Sequence, residues 1–206
     1  MSSTQTIVNK AEKDQAAMKH YLLGKNYLLA LKAMSFAKKY HVGMRKDGVT
    51  PEFTHQVRMA FSVLNLRGVL NEEMVIALCF THDTDEDYSV SYTDMKEFFG
   101  SALADKTVAM NKGNYKTEDD YMQAMANDLD CSVVKGVDNC DNIQTMHGAF
   151  SIEKMHSYME RTQGSILPMI KQSSYNFPQQ AFAYAAISTR LKDQLSLYRS
   201  FLKKIL

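Results

Sequence analysis

The sequence predicts an all-α fold, one compact domain of many helices. Three observations predict it. Strand signals are almost absent over the 206 residues. Apolar residues recur at helical spacing along most of the chain. The three prolines, Pro51, Pro168 and Pro178, stand where helices are expected to start or stop. No internal repeat or low-complexity tract interrupts this pattern, and a chain of this length can enclose a sizeable core.

Residues 1–4 are expected to fray, and residues 6–23 to form a helix stopped by Gly24. Residues 26–41 read as a second helix, with Leu28, Leu29, Leu31, Ala33, Met34 and Ala37 as its core-facing stripe. A loop over residues 42–50 carries Gly43, Gly48 and the Arg45-Lys46-Asp47 triplet. Thr50 offers an N-cap and Pro51 a first helical residue, so a third helix is expected over 51–64. Its buried side would be Val57, Ala60, Phe61, Val63 and Leu64. Asn71-Glu72-Glu73 starts a fourth helix, and residues 74–80 within it are all apolar, the mark of burial on every side.

Residues 91–99 read as a short helix closed by Gly100, and residues 102–110 as another that ends near Lys112-Gly113. Thr117 followed by Glu118-Asp119-Asp120 puts acids into a first turn and starts a helix to about residue 128. In residues 131–146 the apolar side is Val133, Val134, Val137, Cys140 and Ile143. Asp138 borders that side, and Asn142 and Thr145 follow it at i+4 and i+7 on one face. Residues 151–162 begin a further helix, in which Lys154 and Tyr158 are again an i, i+4 pair. Gly164, Pro168 and Asn176-Phe177-Pro178 are expected to punctuate the C-terminal part of the chain. A long last helix over 179–204 packs through Ala181, Tyr184, Ala185, Leu191, Leu195, Tyr198 and Leu202. Its other side can serve self-association into a homo-oligomer.

Composition narrows the function classes. Lys plus Arg number 24 and Asp plus Glu 23, a formal net charge of +1, which speaks against a general nucleic-acid or membrane-surface binder. No apolar run approaches the ~18–20 residues that span a bilayer. The start of the chain is polar and charged through Lys19, with no apolar signal core, so a cytoplasmic protein is expected. Cys79, Cys131 and Cys140 form no Cys-x-x-Cys, and free thiols in a reducing compartment are expected rather than a disulfide framework or a thiolate zinc site. The 14 methionines suit an adaptable core.

One stretch carries chemistry. The buried fourth helix ends on His82-Asp83, and Glu86-Asp87 come about one helical turn later. Acids and an imidazole at the end of a buried helix are costly unless something pairs with them. A divalent metal would do so; a solvated acidic helix end is the other reading. Asp138 likewise reads as a site carboxylate or as part of a solvated polar face. Taken together, His55, His82, Asp83 and Asp138 offer two imidazoles and two carboxylates, a donor set suited to Mn²⁺, Fe²⁺, Zn²⁺ or Mg²⁺. Neighbouring His and Asp do not share a helical face, but a helix end can turn both toward one point. His41 reads as structural, His20 as a helix-face residue, and His147 and His156 as surface residues.

The ordered set His…His-Asp…Asp resembles the HD-domain metal phosphohydrolases. Lys38-Lys39-Tyr40-His41, Arg45-Lys46-Asp47-Gly48 and Thr54-His55 resemble the N-terminal motif of the RelA/SpoT-type hydrolase domain. His82-Asp83-Thr84-Asp85-Glu86-Asp87 is similar to that family's His-Asp-x-x-Glu-Asp, and Phe99-Gly100 to the Phe-Gly beyond it. Residues 134–142 resemble its Lys-x-Ala-Asp-x-x-x-Asn helix, and Lys154 with Tyr158 a later basic-x-x-x-Tyr pair. The resemblance spans about residues 30–168. The chain departs from the pattern at Gln56, where the family has Pro, at Glu52, where it has an aromatic residue, and at Gly136-Val137, where it has Leu-Ala. Residues 113–131 align poorly. None of these removes a metal ligand.

The resemblance implies an HD-type core over residues 25–168, a helical extension over 1–24 and a C-terminal helix over 169–206 packed on the core. The chain has no room for the synthetase and regulatory domains of the long enzymes, so it looks like the stand-alone small alarmone hydrolases, which include the metazoan SpoT homologues. The implied activity is a 3′-pyrophosphohydrolase of (p)ppGpp or (p)ppApp, with a single Mn²⁺ ion held by His55, His82, Asp83 and Asp138. The ion would lower the pKa of a bound water and furnish hydroxide to attack a phosphorus of the 3′-diphosphate. Glu86 and Asp87 would position that water and move protons, titrating as a coupled group with Asp83. Arg45, Lys46 and Lys154 would hold phosphates, Asn142 would bind the ribose or orient the water, and Tyr158 would meet the base or sugar. Three further readings stand beside this one: a hydrolase of another phosphorylated nucleotide, such as one removing the 2′-phosphate of NADPH; a non-catalytic module that binds an alarmone; and a structural helical protein.

Overall fold

The computed structural model describes residues 3–205; among them the chain is all-α, without a strand, and a lone bridge pairs Met44 with Pro51. The chain folds as two compact units, one of residues up to Asn65 with Asn71–Asn114, the other of Leu66–Leu70 with everything from Tyr115 on. Among the described residues no helix is long and apolar enough to cross a membrane.

The first unit holds α1 (Ser3–Lys25), α2 (Leu28–Tyr40), α3 (Thr54–Leu64), α4 (Glu72–Thr81), α5 (Thr84–Tyr88), α6 (Tyr92–Phe99) and α7 (Ser101–Met110). Its centre is α4, which packs against α2, α3 and α7. Every residue from Val75 to Thr81 is buried, as the unbroken apolar run requires. Each Val, Ile, Leu or Phe so buried contributes about 1.5–3 kcal/mol. The acids that open α4 are tied inward: Tyr21 and Tyr27 donate their hydroxyls to Glu72 Oε1 at 3.0 and 2.9 Å, and the Leu29 N–H donates to Glu73 at 2.7 Å. These bonds hold α1 and α2 against the start of α4. A hydroxyl pair, Thr81 with Thr107 at 2.8 Å, joins its end to α7.

Expectations for the first three helices of this unit are corrected. Of the frayed start, residues 1 and 2 lie outside the described residues, but α1 already begins at Ser3. It also runs through Gly24 to Lys25. The left-handed residue that ends it is Asn26, at φ 56°, where Tyr27 N–H reaches Leu22 O and Asn26 N–H reaches Leu23 O, the paired bonds of a Schellman turn. Helix α2 accordingly starts later than expected; of the expected stripe Ala33, Met34 and Ala37 are buried, together with Ala30 and Phe36, while Leu29 and Leu31 are half-buried and Leu28 is exposed. Helix α3 starts at Thr54, not Pro51. The Thr50 hydroxyl donates to Asp47 at 2.6 Å instead of capping a helix, and Pro51 closes the loop through its bridge to Met44.

The second unit holds α8 (Glu118–Ala126), α9 (Leu129–Thr145), α10 (Ile152–Arg161), α11 (Leu167–Asn176) and α12 (Ala181–Ile205). Its centre is α9, against which α8, α11 and α12 pack. Side-chain caps start three of these helices: Thr117 accepts from Asp120 N–H, Asp128 from Asp130 and Cys131 N–H, and Ser151 from Lys154 N–H. Helix α12 buries Ala183, Tyr184, Ile187, Leu191, Leu195, Tyr198 and Leu202; Ala185, expected inside, is exposed. Gly136 explains how closely α11 and α12 approach α9. A Cβ there would stand 2.8 Å from Ile170 Cδ1 and from Ile187 Cγ2. Gly164 does not interrupt the helical chain, and Pro168 stands in the first turn of α11, as expected, but with no loop before it. A π turn over Thr162–Ile166 links α10 to α11 without a loop. Pro168 has no N–H to give the carbonyl four residues back, and the wider turn absorbs that loss.

Candidate metal centre

The first unit contributes the end of α4 and the start of α3. His82 caps α4, and its Nδ1 lies 3.0 Å from the carbonyl oxygen of Cys79, one turn back. A carbonyl can only accept, so Nδ1 donates to it, which leaves Nε2 as the ring nitrogen that faces Asp83. That Nε2 lies 2.9 Å from Asp83 Oδ2. The helix end achieves what a helical face cannot: adjacent residues turn their ligand atoms to one place. An imidazole lone pair and a carboxylate oxygen at this distance repel unless a proton or a cation lies with them. His55, in the first turn of α3, sets its ring 5.5 Å from that of His82. Both rings are buried and Asp83 is partly exposed. The donor set of borderline nitrogens and hard oxygen therefore fits a divalent ion such as Mn²⁺ or Zn²⁺.

The acids beyond Asp83 lie on α5. Asp85 accepts from Asn111 Nδ2 at 2.7 Å, and Glu86 accepts the Lys112 N–H at 3.4 Å. Burial first, then the charges of Asp83, Glu86 and Glu52, hold the Asp87 carboxyl above its ordinary range. Asp87 thus feels the charges of both Asp83 and Glu86. His41 is pushed the other way, down to about 4, chiefly by burial; Asp83 and Glu52 oppose the shift, and His82 and His55 assist it. It is a neutral imidazole at neutral pH.

In the second unit Asp138 is buried on α9. Its Oδ1 accepts from Asn142 Nδ2 at 2.6 Å, as the i, i+4 spacing implied. Its Oδ2 faces Lys135 Nζ at 3.0 Å, an ion pair not expected from the sequence although the two stand at i, i+3. Burial is the largest single influence on Lys135 and lowers its pKa; Asp138, Tyr121 and Tyr158 together outweigh it, so the ammonium stays charged. Asn139 Nδ2 donates to the Tyr158 hydroxyl at 3.1 Å, and Asn139 Oδ1 accepts from Thr162 at 2.9 Å. Burial, then the Asp138 charge, pushes the Tyr158 phenol up to about 12. Tyr158 is thus gathered with Asp138 and Asn142. Thr145 is not: its hydroxyl donates to the backbone carbonyls of Asp141 and Asn142.

The cationic residues expected at phosphates are more dispersed. Arg45 and Lys46 ride on the loop that Asp47 pins by accepting from the N–H groups of Val49 and Thr50, each at 2.9 Å. Lys154 is exposed, its Nζ 4.4 Å over the Phe150 ring. Residues that the sequence pattern did not assign to the site are Lys135, Asn139 and Thr162 around Asp138, and the Cys79 carbonyl beneath His82. Only the first had a signal in the sequence, its spacing from Asp138.

No family model matches the chain. Two curated relatives do. A Synechocystis protein named "Probable guanosine-3′,5′-bis(diphosphate) 3′-pyrophosphohydrolase" is 27% identical over 154 residues, which are 69% of this chain and 20% of that protein. An Aquifex aeolicus protein named "Guanosine-3′,5′-bis(diphosphate) 3′-pyrophosphohydrolase" is 29% identical over 146 residues, 67% of this chain and 20% of that protein. The chain therefore spans about a fifth of the length of the curated relatives it matches. With these relatives, an all-α fold and the His-Asp pair at the end of a buried helix, the chain is similar to the HD-domain hydrolases of the RelA/SpoT type.

Proposed function

We propose that this protein is a divalent-metal-dependent 3′-pyrophosphohydrolase of an alarmone nucleotide, ppGpp or ppApp, acting in the cytoplasm with Mn²⁺ as its native ion. The observation that carries the reading is the His82 tautomer: Nδ1 is spent on Cys79, and Nε2 faces Asp83 at 2.9 Å. In this reading His55, His82, Asp83 and Asp138 would be the residues that hold the ion. A bound divalent ion supplies Lewis acidity and an activated water at neutral pH. The names of the two relatives support the substrate class.

The chain's own residues divide the remaining work. Water attacks the phosphorus attached to the ribose 3′ oxygen; the O3′–P bond breaks and pyrophosphate leaves. Asp87, with its raised carboxyl pKa, and Glu86 beside it take up the water's proton and return one to the 3′ oxygen. Arg45, Lys46 and Lys154 neutralise phosphate oxygens. Asn142 and Tyr158, gathered with Asp138, meet the ribose and base. Residues 25–168 carry this core in the proposal, with 1–24 as an extension and 169–206 as a C-terminal helical addition that includes a self-association face.

The test is a nucleotide panel with Mn²⁺, scored by product. Release of pyrophosphate from ppGpp or ppApp is expected. Release of inorganic phosphate from NADPH in its place would move the assignment to a 2′-phosphatase. Tight ppGpp binding without turnover in metal-replete protein would make the chain a binding module.

A further inference from the structure

Around His41 the first unit builds a device that the metal ligands alone do not require. His41 ends α2, and its ring is buried. Gln56, the residue after His55, is buried too, and its side-chain amide meets the His41 ring at 3.3–3.4 Å. The other end of that amide, Oε1, has no hydrogen-bond partner among the described residues. A buried amide so placed is spent on the imidazole alone. On another side, Glu52 Oε1 lies 3.9 Å from His41 Nδ1. Glu52 in turn accepts from the hydroxyl of Tyr88, whose ring meets His41 edge-on at 4.9 Å. Gly43 leaves room for this carboxylate, since a Cβ there would stand 3.1 Å from Glu52 Oε2.

Sequence neighbours give the arrangement its meaning. Gln56 adjoins His55; Tyr88 adjoins Asp87 and closes α5. Glu52 and Gln56 are also the two positions near His55 where the chain departs from the motif it resembles, and both turn toward the same ring. We propose that His41, held by Gln56 and faced by Glu52 and Tyr88, is a positioning residue that fixes His55 and the acid-bearing helix α5 against one another. The proposal rests on the metal-hydrolase reading. Its content is that positions 56 and 88, on different helices, act through one imidazole.

A double-mutant cycle tests it, with Gln56→Leu, which removes the amide at similar size, and Tyr88→Phe, which keeps the ring and removes the donor. Mn²⁺ affinity is read by calorimetry without substrate, kcat and KM by pyrophosphate release, and folding by the thermal melt. Loss of such supporting contacts costs about 10–100-fold in affinity or activity. Gln56→Leu should therefore weaken Mn²⁺ binding or lower kcat by about tenfold or more with KM little changed. Tyr88→Phe should do the same to a smaller extent, and the pair should lose less than the product of the two. Gln56→Glu, which keeps the shape but puts a carboxylate oxygen in place of the Nε2 donor beside a neutral His41, should not recover the loss. Should Gln56→Leu not fold, Tyr88→Phe with Gln56→Glu completes the cycle. Mn²⁺ binding and turnover in the unaltered chain, with variants that match it or combine multiplicatively, would overturn the positioning role alone. If the unaltered chain binds no Mn²⁺, the metal reading falls and the positioning role with it.

Discussion

Asp83 and Asp138 are both proposed as metal ligands, but each unit surrounds its own carboxylate by different means. Asp138 is buried, and its charge is met within its own helix by Lys135 at 3.0 Å and Asn142 at 2.6 Å. Asp83 is partly exposed beside the Nε2 of His82, and its charge joins those of Glu86 and Glu52 in raising the Asp87 carboxyl. One unit carries its own counter-ion; the other gathers acids and imidazoles whose mutual repulsion a divalent cation would relieve. Metal dependence should therefore reside unequally in the molecule. Loss of the ion should be felt in the first unit, and loss of Lys135 in the second.

The largest effect should come from Asp83→Asn, which keeps shape and removes charge. Mn²⁺ affinity and pyrophosphate release should both fall by at least about 100-fold, since loss of a direct ligand exceeds the cost of losing a supporting contact. Unchanged Mn²⁺ titration would remove Asp83 from the ligand set. Next, Lys135→Met puts the second unit into the condition of the first. Breaking a buried pair from one side costs about 3–5 kcal/mol. Urea unfolding of the metal-free variant should show a loss of that order, and added Mn²⁺ should recover part of it by mass action. If the loss is under about 1 kcal/mol, as for an exposed pair, the contrast between the units collapses.

Gly136→Ala probes the packing side of the same contrast. The added methyl meets Ile170 and Ile187 at 2.8 Å, so overpacking should cost about 1–3 kcal/mol, against a helix-propensity gain of about 1. A net loss of stability without change in Mn²⁺ affinity is expected; a stabilised variant would show that the isoleucines yield freely. The smallest effect is a pH slope. The folded pKa of His41, about 4, lies below its ordinary value of 6.5, so the unfolded chain binds more protons between those values. Its contribution to stability is present above pH ~6.5 and is lost as pH falls toward ~4. Asp87, raised in the folded chain, works in the opposite sense, so the His41 effect is read as a difference. Thermal melts of metal-free His41→Asn should fall less steeply than the unaltered chain over this range. Parallel slopes would deny the burial-driven shift.

The all-α class and most helix ends were legible because they rest on local chemistry. Ser91, Thr117 and Ser151 each cap the helix they were expected to start, and the run over residues 74–80 is buried almost throughout. Misreadings arose where a distant or competing partner decided. Thr50 looked like a cap until Asp47 took its hydroxyl, Gly24 looked like a stop until Asn26 adopted the left-handed turn, and Gly164 looked like a break although a π turn runs through it. In the site, the pairing of His82 with Asp83 and of Asp138 with Asn142 agrees with their spacing. That of Asn139 with Thr162 could not be read from spacing, because 23 residues separate them and only folding brings them together.

The bond from His82 to the Cys79 carbonyl bears on mutational robustness. The acceptor is a peptide oxygen, so every amino acid at position 79 supplies it. Replacing the Cys79 side chain alters a buried volume without altering which nitrogen of His82 bears the proton. Only unwinding the last turn of α4 would release that ring. The protonation of this imidazole is thus inherited with a helix rather than with a letter of the sequence, and drift at position 79 is free to tune the core while leaving the ring's tautomer intact.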